Sequence, residues 1–233
     1  MIQSAKRIYK NDGNPPLLAL LDDRPARMVL DVGCGAGDNA ALIKAKYPDC
    51  RIHGVTHSAE EAQIARQWMA DCSVFDIEGE LPLDLRAVRF DTIVFSHVLE
   101  HLREPAAVLD RFSRLLGEDG RVVIAVPNTL SWRMRWRFLR GDFAYGEDGV
   151  LDATHLRFFT YLTADQYLLG ASSRLKLVTK RVTGSVPLWW LRHHLLNSRF
   201  RCLIDNWGCR VWPNLFGEQI LMKAVVGCSR ATN

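Results

Sequence analysis

Short apolar runs alternate with segments of helical spacing between residues 27 and 128. The segments DNAALIKAKYP, SAEEAQIARQWMA and EPAAVLDRFSRLL repeat their apolar residues at the helical period, and Ser58 with Glu61 forms a predicted capping box. Each apolar run has the length of a buried strand; the five are ARMVLDVG, CRIHGVTHS, DCSVFDIE, FDTIVFS and RVVIAVPN. This alternation predicts a doubly wound parallel sheet.

The alternation breaks after Asn128. Residues 129–165 form an aromatic and basic insertion, and a second irregular or helical excursion covers residues 186–214. Between and after them we predict a helix, TADQYLLGAS, and two strands, LKLVTKRVT and LFGEQILMKAVV. The two late strands lack a regular crossover helix and therefore predict an antiparallel edge. We interpret residues 1–233 as one α/β domain with a core at 27–128.

Composition and charge narrow the class of protein. The chain has 233 residues, is 48% hydrophobic and carries a net charge of +4, which suits one globular domain and gives no argument for nucleic acid. Its six cysteines form no C-x-x-C pair, which favours a reduced, cytoplasmic protein. The apolar run Leu17–Leu21 is too short for a signal peptide, and no segment approaches the ~20 apolar residues of a membrane span.

A glycine-rich loop follows the first predicted strand. LDVGCGAGD places Gly33, Gly35 and Gly37 at the carboxyl end of that strand, where doubly wound sheets bind ligands. Glycines there let a ligand lie against backbone amides and a helix N-terminus. Asp38 takes the sixth place of G-x-G-x-x-G, and the second strand ends in Thr56 rather than an acid, so a nicotinamide cofactor is disfavoured. No Gly-Lys-Ser/Thr follows, which excludes a P-loop.

Four motifs in this order carry a resemblance to a known family. They are VLDVGCGAGD, FDIEGELPL, FDTIVFSHVLEHL and LLGEDGRVVIAVPN. Together they resemble the class I S-adenosylmethionine-dependent methyltransferases over about residues 27 to 128. The later GVLDATHLRFFT is similar to a subgroup with quinone-biosynthesis O-methyltransferases and bacterial small-molecule and sugar methyltransferases. The resemblance implies a mostly parallel, seven-stranded, Rossmann-like sheet with a substrate-capping insertion, S-adenosylmethionine as cofactor and S-adenosylhomocysteine as product.

The resemblance also implies which residues hold the cofactor. The glycine loop would line the methionine part and Asp31 would orient its amino group. Thr56 stands where most relatives have an acid on the ribose, so Glu61, one helical turn later, is either the ribose contact or only capping support. The full predicted cofactor set is Asp31, Gly33, Gly35, Gly37, Thr56, Glu61, Asp76 and Ile77 at the adenine, and Ser96.

Methyl transfer to a hydroxyl requires alignment and removal of a proton. A histidine is suited to that task near neutral pH. His155 in DATHLRFFT is the first candidate base, because it lies in the insertion where this fold builds its acceptor pocket. The alternative is that His155 only packs the insertion. His97 is the second candidate base.

The stretch SHVLEHL places His97, Glu100 and His101 at i, i+3 and i+4. A single helical turn would bring them to one face, and with His155 they would suit a transition metal better than magnesium. VLEHL also occurs in many relatives that need no metal. We therefore predict a metal-free enzyme in which Glu100 and His101 support the acceptor site.

The two insertions predict the acceptor's chemistry. SWRMRWRFLRGDF places Arg133, Arg137 and Arg140 on one helical face, which favours an anionic acceptor or, alternatively, a lid with solvated arginines. VPLWWLRHHLLNSRFRCLI is by default an internal cap, with a membrane interface or dimer contact as alternatives.

We predict O-methylation of a hydroxyl on an anionic sugar, nucleotide sugar or related small molecule. N-methylation of a small amine and a non-catalytic S-adenosylmethionine-binding module are the alternatives. A nucleic-acid methyltransferase is disfavoured because Pro127-Asn128-Thr129 is not the N/D-P-P-Y/F tetrapeptide of base amino methylation. No oligomeric state is predicted.

Overall fold

A seven-stranded sheet forms the centre of the fold, in the strand order β3-β2-β1-β4-β5-β7-β6. The computed structural model describes residues 12–227. The strands are Met28–Val32 (β1), Arg51–Thr56 (β2), Asp71–Val74 (β3), Phe90–Ser96 (β4), Leu116–Pro127 (β5), Leu175–Gly184 (β6) and Gly217–Val226 (β7). The first five strands pair in parallel, whereas β7 is antiparallel to both β5 and β6. The predicted mostly parallel sheet with an antiparallel edge is confirmed.

Helices cover both faces of the sheet. They are Pro15–Leu18 (α1), Asp38–Lys46 (α2), Ala59–Ala65 (α3), Leu83–Ala87 (α4), Pro105–Ser113 (α5), Trp132–Leu139 (α6), Ala164–Leu169 (α7), Trp189–Leu195 (α8), Ser198–Val211 (α9) and Pro213–Phe216 (α10). Residues of α1, α2 and α3 join one apolar cluster, and residues of α4, α5 and α7 join another. Successive residues of one strand enter opposite clusters, as Ile93 and Val94 of β4 do. Apolar runs without alternation are therefore the expected pattern for these central strands.

The N-terminal run Leu17–Leu21 belongs to the core. From the sequence it was considered only as a signal peptide, for which it is too short. It continues from α1 into a 3₁₀ turn, Ala19–Leu21, and Leu17 and Leu21 are almost fully buried. Asn14 caps α1, because its side-chain oxygen accepts a hydrogen bond from the Leu17 amide. The run is too short to show helical periodicity, which explains why the pattern missed it.

Several predicted elements have different bounds in the structure. The helix predicted to reach Ala70 ends at Ala65, and the strand predicted over RVVIAVPN begins earlier, at Leu116, so that β5 includes the GEDG segment. There the pairing with β4 shifts from Phe90 opposite Leu116 to Thr92 opposite Arg121, so the extra residues form an irregularity in the strand. A short helix between β3 and β4, α4, was not predicted.

Both insertions contain helices. The segment 129–165 contains α6 followed by irregular chain, and the segment 186–214 contains α8 and α9. Asp205 of α9 pairs with Arg192 of α8 over 2.8 Å, which ties these two helices together. Among the helices of residues 12–227, none combines the length and apolar character that crossing a bilayer would require.

Candidate active site

A buried carboxylate without a partner lies near the carboxyl end of β1. Asp31 is 1% exposed, and neither of its carboxylate oxygens has a hydrogen-bond partner. Burial first, and then the nearby charge of Asp38, raises the pKa of Asp31 to about 7. A cationic group placed here would relieve the cost of burying this carboxyl.

The glycine loop that follows β1 has left-handed backbone at each of its three glycines. Gly33, Gly35 and Gly37 have φ values of 71°, 52° and 89°, which other residues adopt rarely. A Cβ on Gly33 would lie 2.4 Å from Val98 Cγ2, so packing as well as φ requires glycine at that position. The loop thus keeps its backbone close to Asp31 and to the N-terminus of α2.

Glu61 supplies a carboxylate at the end of β2, where Thr56 has none. Thr56 Oγ1 donates a 2.5 Å hydrogen bond to Glu61 Oε2, and both residues are buried. Ser58 Oγ accepts from the Glu61 amide over 3.3 Å, but the Ser58 amide donates to Thr56 Oγ1 and not to Glu61. Only half of the predicted capping box forms, because the Glu61 side chain is held by Thr56.

Asp76 and Ile77 lie in the turn after β3, because the strand that the sequence predicted over DCSVFDIE ends at Val74. Asp76 is exposed, and its Oδ1 accepts from the Glu78 amide over 2.9 Å. Ile77 is partly buried against the core, and its carbonyl accepts from Arg111 over 2.6 Å. The strand order brings this turn to the same edge of the sheet as the glycine loop.

The residues SHVLEHL do not form the single helical turn that the spacing predicted. His97 has a φ of 54°, and only Leu99–His101 forms a short 3₁₀ helix. The left-handed residue still brings His97 Nδ1 within 3.2 Å of Glu100 Oε1. His101 points elsewhere, to Thr154 Oγ1 at 2.9 Å.

Hydrogen bonds determine the protonation of His97. Asn14 Oδ1 accepts from the Leu17 amide, so Asn14 Nδ2 is the donor to Gln219 Oε1 at 3.0 Å. His97 Nε2 lies 3.0 Å from the same oxygen and must donate to it. Desolvation opposes the charged imidazolium, but the hydrogen bond and charge of Glu100, together with Gln219, raise the pKa of His97 above its ordinary value. In the charged form of His97 both ring nitrogens donate, Nδ1 to Glu100 and Nε2 to Gln219, and neither has a lone pair to accept a proton.

His155 meets the VLEHL turn at a cluster of three side chains. The amides of Leu156 and Arg157 both donate to the carbonyl of Glu100, which holds the loop against the turn. The rings of His101 and His155 contact edge to face, with centroids 4.7 Å apart. Glu100, His101 and His155 each offer one ligand atom, and these atoms lie within 4.8 Å of one another.

The tautomers in this cluster follow from the partners of each ring. His155 Nδ1 lies 3.0 Å from the Val150 carbonyl and must donate, which leaves Nε2 with the lone pair. Thr154 Oγ1 donates to Asp152 over 2.7 Å and so accepts from His101 Nδ1. Glu100 Oε2 is buried without a hydrogen-bond partner. These three residues are chemically able to hold a divalent metal; the metal-free expectation stays a prediction.

The three predicted acceptor arginines have different partners. Arg133 pairs with Glu218 over 2.9 Å, and Arg137 pairs with Asp142 over 2.8 Å. Arg140 caps the end of α6, and its guanidinium lies 4.8 Å from the centre of the Trp136 ring. Within residues 12–227 Arg140 has no ion pair.

A cavity of about 470 Å³ lies where the two insertions meet. It is lined by Trp132, Arg133, Leu188 and Trp190. Glu218, the partner of Arg133, directly precedes Gln219, which reaches His97. The neighbouring residues Glu218 and Gln219 therefore link the cavity to His97, which directly follows β4.

Sequence reasoning missed Asn14, Thr183 and Gln219. Asn14 precedes two prolines, an N-cap signature that the pattern contained. Gln219 donates through Nε2 to Thr183 Oγ1 over 2.8 Å and lies in a strand whose sequence has no chemical signature. Only the pairing of β7 with β5 brings it to His97.

A doubly wound sheet with a glycine loop and an unpaired buried carboxylate at the carboxyl ends of its strands is typical of the α/β proteins that bind a ligand at this edge. The chain belongs to the methyltransferase-domain family, because residues 5–168 match the model of that domain. The predicted resemblance is confirmed at the level of the family.

Individual relatives agree with that assignment. The chain is 34% identical over 107 residues to trans-aconitate 2-methyltransferase of Azoarcus sp. (strain BH72), covering 46% of this chain and 41% of the relative. It is 31% identical over 126 residues to a ubiquinone biosynthesis O-methyltransferase of Neisseria meningitidis serogroup A / serotype 4A, covering 51% of this chain and 52% of the relative. The matched part thus spans about half the length of these relatives.

The fold has solved counterparts. A SAM-dependent methyltransferase from Archaeoglobus fulgidus superposes with a TM-score of 0.58 at 19% identity, covering 90% of this chain and 93% of the other. At that identity the likeness shows the fold alone.

Proposed function

We propose that this protein transfers the methyl group of S-adenosylmethionine to a hydroxyl of a small, anionic acceptor. Membership of the methyltransferase-domain family supports the reaction class. The observation that carries the proposal is the buried, unpartnered carboxyl of Asp31 beside the glycine loop. One supporting relative is named for trans-aconitate, which is an anion.

The residues at the carboxyl edge fit the parts of this cofactor. Asp31 would accept from the ammonium of the methionine part, and Glu61 would accept from the ribose hydroxyls. Asp76 would accept from the adenine amine, since a carboxylate can accept from an exocyclic amine but not from a ring acceptor. Thr56 holds Glu61 in place over 2.5 Å before any ligand arrives.

When bound, S-adenosylmethionine supplies an activated methyl group on a positively charged sulfur. The protein's part is to position the acceptor, exclude water and remove one proton. His155 is the base in this proposal, because its Nδ1–H donates to the Val150 carbonyl and Nε2 retains the lone pair. His97, the second candidate, is disfavoured because both its nitrogens donate.

Arg140 is the favoured contact for the acceptor's negative charge. Arg133 and Arg137 already have carboxylate partners, whereas Arg140 has none within residues 12–227 and stacks on Trp136. A guanidinium free of an ion pair can bind a carboxylate or phosphate through two parallel hydrogen bonds.

Calorimetry with S-adenosylhomocysteine tests the cofactor site. In Gly35→Arg the new side chain would occupy the cradle beside Asp31, and binding should be lost. Gly141→Arg is the matched control, because Gly141 also has positive φ, 73°, but nothing within 4 Å of an added Cβ. Folded Gly35→Arg with unchanged affinity, or wild-type protein without affinity, would overturn the cofactor assignment.

An acceptor screen tests the reaction itself. The wild-type protein should form S-adenosylhomocysteine with a pool of hydroxylated carboxylates and nucleotide sugars. With the acceptor found, Arg140→Glu should raise KM about tenfold or more, while Arg135→Glu on the same helix should leave it unchanged. Turnover only with amines would favour N-methylation, and cofactor binding without any turnover would favour the non-catalytic module.

A further inference from the structure

Helix α9 presents an apolar stripe to solvent. Phe200, Leu203, Trp207 and Val211 are spaced by three, four and four residues and are 58%, 62%, 59% and 44% exposed. This spacing puts all four on one face of the helix. We call these four residues the α9 stripe.

The opposite face of α9 packs on the protein. Gly208 and Cys209 are buried, and a Cβ on Gly208 would lie only 2.4 Å from Val186 Cγ2. Because the inward face has its own partners, the α9 stripe is not available to the core of the same molecule. Trp212, which is 53% exposed, extends the apolar surface and contacts the Trp207 ring with centroids 6.0 Å apart.

The charges around the stripe have one sign. Arg199 and Arg210 are exposed and lie on the helix beside Leu203, and neither has an ion pair within residues 12–227. Asp205 is the sole acidic residue between 186 and 214. It is turned inward, where it accepts from Arg192 and from the Val186 amide over 2.8 Å each.

We propose that the α9 stripe docks on an anionic lipid bilayer. The apolar side chains would enter the boundary between headgroups and acyl chains, and Arg199 and Arg210 would bind lipid phosphates. An exposed apolar helix face flanked by cations and tryptophan is the arrangement that such an interface selects. This inference is independent of the methyl-transfer proposal.

Charge argues against the other occupants of this face. A symmetric contact between two copies of the chain would bring Arg199 and Arg210 of one copy near those of the other. Residues 1–11 contain Lys6, Arg7 and Lys10 and no acid, and residues 228–233 contain no acid either. Neither a second copy of the chain nor either terminal segment therefore supplies negative charge to pair with Arg199 and Arg210.

Vesicle sedimentation tests the proposal with the full chain. The wild-type protein should pellet with vesicles made of equal parts phosphatidylcholine and phosphatidylglycerol and should be released by high salt. The double variant Leu203→Glu/Trp207→Glu should partition at least about tenfold less. Arg199→Glu/Arg210→Glu should lose binding to the anionic vesicles in particular.

The matched control is Leu83→Glu. Leu83 begins α4 and is 80% exposed, like the residues of the α9 stripe. It follows β3, which is one edge strand of the sheet, whereas α9 packs on β6, the edge strand on the other side. This variant should bind as the wild type does. Circular dichroism and an unchanged thermal midpoint would show that each variant is folded.

Three results would overturn the inference. They are no wild-type sedimentation, equal sedimentation of the double variant, and equal binding to pure phosphatidylcholine vesicles. A dimer seen by analytical ultracentrifugation that Leu203→Glu abolishes would assign the face to a second copy instead.

Discussion

Gln219 Oε1 lies 3.0 Å from His97 Nε2, and this contact joins β7 to the turn after β4. Replacing Gln219 by Met removes the acceptor, so the pKa of His97 should fall, whereas Gln219→Glu should raise it further. The histidine Cε1–H signals in an NMR titration would measure both changes, with Gln166→Met on α7 as the control.

The stability consequence has a definite sign. A raised histidine pKa stabilises the fold fully below the ordinary value of 6.5, and the contribution is lost as pH rises through the folded-state pKa. The wild type should therefore lose stability over this range more steeply than Gln219→Met. Equal pH profiles of the free energy of unfolding would contradict the hydrogen-bond assignment at His97.

Asp31→Asn should stabilise the ligand-free protein and weaken its binding of the cofactor. Because the pKa of Asp31 is raised from 3.8 to about 7, the folded state binds more protons than the unfolded state between these values, and stability falls as pH rises through this window. The shift corresponds to about 4 kcal/mol, of which we expect about 1 to 3 kcal/mol to be recovered above pH 7.

Urea unfolding at several pH values and calorimetry would check both effects together. Affinity for S-adenosylmethionine should fall about tenfold or more in Asp31→Asn, because its ammonium loses a charged partner. Asp84→Asn on the surface helix α4 is the control. A variant that is less stable than the wild type, or binds as tightly, would contradict the role given to Asp31.

Gly54→Ala should destabilise the fold through a cluster of sulfur atoms. Gly54 on β2 lies between β1, which leads to Cys34, and β3, where Cys72 is its pairing partner. The Sγ atoms of the two cysteines are 3.7 Å apart. An added Cβ would lie 2.3 Å from Met69 Sδ and 2.8 Å from Cys34 Sγ. We expect a loss of about 1 to 3 kcal/mol, measured by chemical unfolding.

The control for this substitution is Gly117→Ala. An added Cβ there would meet its nearest atom, the Phe90 carbonyl oxygen, only at 3.9 Å. Equal free energies of unfolding for the two variants would show that the sulfur cluster is loosely packed.

His155→Ala should reduce kcat by about a hundredfold or more with little change in KM, since it removes the proposed base. The pH profile of kcat should also lack its acidic limb in the variant. Loss of a residue that only packs the insertion would leave that limb in place. His194→Ala, on exposed helix α8, should behave as the wild type. Nearly full turnover in His155→Ala would leave positioning and desolvation as the catalytic effects.

Treatment with a chelator should leave turnover and the thermal midpoint unchanged. Glu100, His101 and His155 are close enough to share an ion, but the prediction for this chain is metal-free catalysis. Turnover that falls with chelator and returns with one divalent ion would contradict it. Glu100→Gln would then abolish the metal response, with Glu104→Gln as the control.

The sequence by itself determined the sheet and the glycine loop at its carboxyl edge. Central strands such as β1 and β4 are buried on both faces, so their apolar runs appear directly in the chain. Asp31 and the three glycines are also local, because a strand end and the turn after it are continuous in sequence. Asp76 was predicted within the third strand, whereas it lies in the turn after Val74, so the end of that strand was not predicted.

Tertiary structure decided how the acceptor side is assembled. The i, i+3, i+4 spacing of SHVLEHL predicted one helical face, but His97 adopts positive φ and binds Gln219, 122 residues away. Asn14 orients that glutamine from the other end of the chain. Contacts between such distant residues depend on which strands pair. The sequence predicted an antiparallel edge, but it did not predict that β7 lies between β5 and β6. The partners of Arg133 and the outward face of α9 follow from the same long-range packing.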